Sequence, residues 1–166
     1  MTASIRIAVL GAWAGALLAF AALAVPGAFG NLPTFLAAEV LGGGFVGLDR
    51  FGIVAGLTCC GLGLLGRPGG RAERLRALAP LLAVAGHALS LGWVTPELAE
   101  LRQAAGGSIG QLPAGDEGIS RFQFLHEASR GLYSANSLIA AGVCLWDVFA
   151  TRVNFPTQTP QTPKTT

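Results

Sequence analysis

Four stretches of this chain run without a charged side chain for about as long as a hydrocarbon layer demands, and no other feature limits its fold as severely. A helix needs about 20 mostly apolar residues to cross a layer about 30 Å thick. Ile7 to Val25 follows Arg6 and meets Pro26, which cannot continue the hydrogen-bond ladder unaided. Phe51 to Gly66 is a little short, so its helix begins upstream and carries Asp49 and Arg50 at its edge. Ala77 to Thr95 holds His87 near its middle and Trp93 where an interfacial aromatic would sit. Gly131 to Trp146, extended back to Phe122, brings in His126, Glu127 and Arg130. The pattern predicts an all-α, integral membrane four-helix bundle: a membrane domain over 1–150 with spans at about 5–25, 46–66, 77–95 and 122–148. Ala22-Leu23-Ala24 resembles a signal-peptidase site, but the apolar run before it exceeds that of a signal peptide, so the first span is expected to stay.

Composition closes the other routes. Only 12% of residues are charged, against about a quarter in soluble domains. A net charge of +2 is too small for a nucleic-acid binder. Cys59, Cys60 and Cys144 lie in apolar runs, match no disulfide or zinc framework, and read first as small packing residues. Between spans, Leu32, Phe35, Leu36 and Val40 are spaced for a short interfacial helix. Arg67 to Arg76 reads as a compact basic turn, and Pro96 to Ala105 as a separate short helix. The proline-punctuated polar tail, 151–166, is expected to be disordered. No solenoid or inverted repeat is visible. Arg6, Arg67, Arg71, Arg74, Arg76, Arg152 and Lys164 fall on one side, and Arg50, Arg102, Arg121 and Arg130 on the other, which predicts both termini cytoplasmic.

Winding His126 to Ser137 at ~100° per residue puts His126, Ser129, Arg130, Tyr133, Asn136 and Ser137 on one face, with Glu127 and Ser134 on its flank. An ionised side chain among lipid tails costs on the order of 3 kcal/mol, so this face is expected to turn inward. Asp49, Arg50 and Glu97 belong to the same end of the bundle, with His87 about 9 Å deeper than Trp93 at ~1.5 Å per residue. Together they outline an outward-facing polar pocket of Arg50, Asp49, His126, Arg130, Ser129, Tyr133, Glu127 and Glu97 with His87 below. The plainer reading makes Asp49, Arg50, Glu127 and Arg130 a structural ion-pair network, and His87 a histidine satisfied within the core. His126-Glu127-x-x-Arg130 has arginine where a zinc protease needs its second histidine, and the chain contains no G-x-S-x-G and no C-x-x-C. His87 and His126 are the metal candidates, and a haem bridging them is disfavoured by their different heights. No cofactor is expected, with haem or a metal ion as the alternative. Gly11-x-x-x-Gly15 and Gly52-x-x-x-Gly56 offer thin faces for close helix packing within the chain first and a homo-oligomer second.

Gly11-Ala12-Trp13, Phe29-x-x-Leu32-Pro33, Trp93-x-x-Pro96-Glu97 and Phe122-x-x-x-His126-x-x-Ser129 together resemble the transmembrane protein 205-like family, also catalogued as domain of unknown function 4149. The resemblance runs from about Gly11 to Leu145. It implies a four-helix integral membrane protein of unsettled activity, with His126, Ser129, Pro96 and Glu97 as signature positions. Leu125 and Glu127 depart from the family's usual Arg or Tyr before the histidine and Gly after it. The reading that results is a protein of the bacterial inner membrane, partnered by the lipid bilayer, that binds or passes a small polar or metal-containing solute and is not expected to be an enzyme. The alternatives are a haem- or metal-binding redox protein and a structural or assembly subunit.

Overall fold

The apolar runs become four antiparallel rods that extend well past the hydrophobic segments on which they are founded. The computed structural model describes residues 2–153. Helix α1 covers Thr2–Asn31, α2 Thr34–Leu65, α3 Arg71–Ala104 and α4 Glu117–Val153, with a single 3-10 turn at Ile109–Gln111 between the last two. Each is long and apolar enough to cross a membrane. The chain is an all-α four-helix bundle, and each rod packs on two neighbours in the cyclic order α1, α2, α3, α4. The tail expected over 151–166 keeps its first three residues in α4, and the part beyond Val153 lies outside the described residues.

Four sequence expectations are corrected here. Pro26 does not stop the first helix: the turn before it, Phe20–Ala24, opens to π geometry and the helix continues to Asn31. The same device recurs in α3, where the π turn Ser90–Val94 precedes Pro96, so the segment from Pro96 continues α3 rather than forming a separate helix. A proline has no N–H and its ring collides with the carbonyl four residues back. Widening the preceding turn to i→i−5 bonding, Val25 N–H to the Phe20 carbonyl and Thr95 N–H to the Ser90 carbonyl, relieves that collision. The interfacial helix expected around Leu32 to Val40 is likewise absorbed, because α2 already starts at Thr34 behind the extended Pro33. The basic turn shrinks, since Arg71, Arg74 and Arg76 sit on the opening turns of α3.

A line of buried side chains runs down each rod toward the shared core of Leu10, Trp13, Leu17, Ala55, Cys59, Ala83, Ala140 and Val143. These lines are in register between the two hairpins. Arg6 and Arg76, like Pro26 and Pro96, stand 70 residues apart, and Leu10, Trp13 and Leu17 match Pro80, Ala83 and His87 at the same separation. In the partner helices Leu41, Gly52, Gly56 and Cys59 match Leu125, Asn136, Ala140 and Val143. The α1–α2 hairpin and the α3–α4 hairpin thus occupy equivalent places about an axis along the bundle, a parallel repeat of positions without a repeat of residues.

The glycine expectations divide. A Cβ on Gly52 would fall on the His87 ring, and one on Gly56 would strike Val84, so this pair does bring α2 onto α3. A Cβ on Gly63 would come within 2.9 Å of the Ala77 Cβ. A Cβ on Gly11 or on Gly15 would meet nothing within 4 Å, so this pair is not needed for a close helix approach among the described residues.

Candidate functional site

Where α2 and α3 approach most closely, three polar side chains meet in an otherwise apolar interior. Asp49 is buried on α2, and His87 and Ser90 lie one turn apart on the facing side of α3. One carboxylate oxygen of Asp49 is 2.8 Å from His87 Nδ1, and the other accepts the Ser90 hydroxyl at 2.7 Å. With the carboxylate accepting, Nδ1 carries the hydrogen and the ring is held in one orientation. His87 is 1% exposed, and its second nitrogen, Nε2, is buried with no hydrogen-bond partner. Gly52 permits this arrangement, because any side chain there would overlap the imidazole. Trp13 of α1 closes the cluster with its ring centroid 5.7 Å from that of His87, and its indole N–H is also buried and unpartnered. The layer is completed by Asn136, buried against Gly86, and by Tyr133, whose hydroxyl donates to the Leu17 carbonyl just below the π turn of α1.

Height along the rods decides what this cluster means. At the end of the bundle shared by the start of α1 and the end of α4, Arg6 binds both oxygens of Asp147, each at 2.9 Å. Arg76 lies 3.4 Å from the same carboxylate and its backbone carbonyl accepts from Arg6 at 2.8 Å. His87 stands about 16 Å above Arg76 and Asn136 about 16 Å above Asp147 at 1.5 Å per residue, close to half the thickness of a hydrocarbon layer. At about 30 Å above Arg76 the third rod reaches Pro96 and Glu97. There Arg121 pairs with Glu97 at 2.5 Å and lies over the rings of Trp93 and Phe124, as interfacial residues do. The Asp49–His87–Ser90 cluster therefore sits near mid-depth, between two charged ends.

The expected single pocket is not assembled. Asp49 and His87 come together, and Tyr133 and Ser129 turn partly inward, but Arg50 is exposed and Glu97 is bound to Arg121 at the far end. His126 is exposed and stacked on Phe122, with Arg102 over the same ring. Glu127 and Arg130 pair with each other at 2.9 Å with about two thirds of each side chain in the open, 67% and 68%. The inward line of α4 runs through Leu125, Ser129, Tyr133, Asn136, Ala140, Val143 and Asp147, so His126 and Arg130 fall one position round from it. The premise that a charge on this helix must turn inward holds only inside hydrocarbon. Residues 126–130 lie about 25 to 31 Å from the level of Asp147, at the interface, where exposure is cheap. Among the described residues no three of His, Cys, Asp or Glu gather as a metal cage, and His87 and His126 belong to different levels.

Residues 8–106 match the family model described as a domain of unknown function (DUF4149). The chain belongs to the DUF4149 family. No curated protein and no solved structure matches it. The DUF4149 match takes in α1 to α3 and with them Trp13, Asp49, Gly52, His87 and Ser90. It ends before α4, so His126 and Ser129 lie outside the matched DUF4149 segment.

Ser90, Trp13 and Gly52 were not singled out as site residues from sequence, and neither was the Arg6–Asp147–Arg76 cluster. One signal was available for the last of these. Asp147 stands alone between Leu145-Trp146 and Val148-Phe149, and a carboxylate so placed needs a cation from another helix.

Proposed function

We propose that this DUF4149 protein binds a small polar or metal-containing solute inside the membrane bundle, at the Nε2 face of His87. The observation that carries the reading is the pairing of a fixed Nδ1 with a free, buried Nε2. A carboxylate behind one imidazole nitrogen fixes the ring and orients the other, the arrangement that supports histidine ligands. Nε2 can accept a hydrogen bond or bind a metal ion. As the one unpartnered ligating atom of the cluster it suits a metal that brings other ligands with it. Gly52 and Trp13 crowd that face, so the occupant is small. The buried Arg6–Asp147–Arg76 cluster and Trp13 close the bundle below His87, so entry is from the opposite end, that of Glu97 and Arg121. The Lys/Arg bias makes that end the outer one, with both termini cytoplasmic, in a bacterial inner membrane. Within DUF4149 we assign the chain to the transmembrane protein 205-like group on its Gly11-Ala12-Trp13 and Phe122-to-Ser129 motifs. The protein acts as a binder or conduit and not as an enzyme.

The chain has only two histidines, which makes the test direct. The detergent-purified protein is analysed for metal and for haem absorption. Its nitrogen-15-labelled imidazoles are then followed by NMR during additions of Zn2+, Cu+ and methylammonium. The expected result is a co-purifying metal, or a shift of the His87 Nε2 resonance, that His87→Gln abolishes and His126→Gln leaves intact. A His87 resonance that answers to none of these in a metal-free protein would make Asp49–His87 a structural pair and end the proposal. A haem band lost in His87→Gln would move the protein to the redox class. A reporter fused after Gly69 checks the orientation and is expected to read cytoplasmic.

A further inference from the structure

The opposite charged end carries a second inference, independent of His87. Two guanidinium groups there share one carboxylate. Arg6 is sealed, 5% exposed, and spends its two terminal nitrogens on Asp147 and on the Arg76 carbonyl. Arg76 makes only the longer 3.4 Å approach to Asp147 and leaves 23% of its side chain open. The Arg76 atom that approaches Asp147 is Nε, which at that distance makes no hydrogen bond, and Arg6 Nε is likewise buried without a partner. The cluster thus holds one positive charge more than it neutralises. The other acid of this end, Glu73, is occupied with the Gly69 N–H at 2.6 Å. Arg67, Arg71 and Arg74 are exposed at the same end of the bundle, and the first turn of α3 begins behind Gly70 without a side-chain cap. A surplus guanidinium beside an arginine-rich helix start calls for an anion.

The depth names its chemistry. The cluster lies about 16 Å from the mid-depth layer, at the edge of a hydrocarbon core about 30 Å thick, with the lipid phosphates just outside it. We propose that Arg76, with Arg71 and Arg74 at its rim, holds the phosphate of an anionic phospholipid headgroup against the α3 start, with Asp147 and Arg6 fixing the position of the Arg76 guanidinium from behind. A phosphodiester supplies the bidentate acceptor that Arg76 lacks, and the exposed arginines favour a lipid with net negative charge over a zwitterionic one.

The experiment uses the full chain in a neutral detergent, titrated with phosphatidylglycerol, with phosphatidylcholine and with inorganic phosphate, and bound lipid is read by native mass spectrometry. Phosphatidylglycerol is expected to be retained in preference to phosphatidylcholine. Arg76→Gln should weaken that retention by about tenfold, the worth of one charge-assisted hydrogen bond. Arg76→Lys keeps the charge and loses the fork, so it should fall between, and it carries the test if Arg76→Gln does not fold. Arg102→Gln, at the far end, should bind as the parent does. Equal retention of the two lipids, unchanged binding in both Arg76 variants, or an equal loss in Arg102→Gln would overturn the proposal. Displacement by inorganic phosphate would overturn the lipid assignment in favour of a free-anion site.

Discussion

The closest test of the mid-depth cluster is a single methyl group. Gly52 and Gly47 lie on the same helix, but a Cβ on Gly47 meets nothing within 4 Å whereas one on Gly52 overlaps three atoms of the His87 ring. Gly47→Ala should therefore be neutral or stabilise by up to about 1 kcal/mol, the helix-propensity difference. Gly52→Ala gains the same increment and loses more. Forcing a methyl into a filled site costs about 1–3 kcal/mol. If the ring swings away it also gives up its 2.8 Å bond to Asp49, a charge-assisted bond of about 1.5–3 kcal/mol. A net loss of about 3 kcal/mol is expected. In a His87→Ala background the added methyl enters the emptied volume, so the cost of Gly52→Ala should vanish and the coupling between the two sites should equal about the same 3 kcal/mol. The four variants are compared by reversible unfolding in mixed micelles of neutral detergent and dodecyl sulfate. Gly52→Ala as stable as Gly47→Ala, or an undiminished cost without the imidazole, would refute the packing argument.

The remaining predictions use the same unfolding measurement. Asp147→Leu strands Arg6 in the core and should cost about 3–5 kcal/mol, most of it recovered in the Arg6→Leu/Asp147→Leu double variant. Tyr133→Phe removes the hydroxyl given to the Leu17 carbonyl and should cost about 1 kcal/mol, since hydrogen bonds between membrane helices are modest. Glu127→Gln and Arg130→Gln should each change stability by less than about 0.5 kcal/mol, because the pair is open to solvent. A loss of 2 kcal/mol or more, on the scale of a buried ion pair, would show that α4 turns this pair inward after all.

The spans were legible because hydrocarbon thickness imposes a length, and the four uncharged runs declared themselves. Their true ends were not. Pro26 and Pro96 read as breakers, since sequence shows the missing N–H but not the widened turn that accommodates it. The site was half legible. Asp49, His87 and Tyr133 were found because polar groups in apolar runs are conspicuous. His126, Glu127 and Arg130 were placed with them because a stripe on a helical wheel carries no depth: the same face can be an interior at one level and a headgroup surface at another. Arg6, Arg76 and Asp147 meet across 141 residues of sequence, and no local spacing relates Arg6 to its partner.

The registered hairpins say where the molecule departs from its own symmetry. Under the equivalence that pairs Arg6 with Arg76, the α2–α3 contact of Asp49 with His87 corresponds to the α4–α1 contact of Tyr133 with Leu17. One half thus carries an ionisable pair where the other carries a neutral hydroxyl on a backbone carbonyl, at the same depth and facing the same axis. If depth and facing alone qualify a position to hold the pair, it can be moved. Tyr133→Asp by itself places a lone carboxylate at mid-depth and should cost about 3 kcal/mol on the insertion scale, seen as lost yield of folded protein. Adding Leu17→His supplies the imidazole from a side chain that is 0% exposed and points into the same core, and should restore a large part of that yield. The control is Leu17→His with Tyr133 kept, which gains no carboxylate and should rescue nothing. If the double variant folds no better than Tyr133→Asp, the two hairpins are equivalent in outline only, and the Asp49–His87 pair depends on something particular to its own half, of which Gly52 beneath the ring is the first candidate.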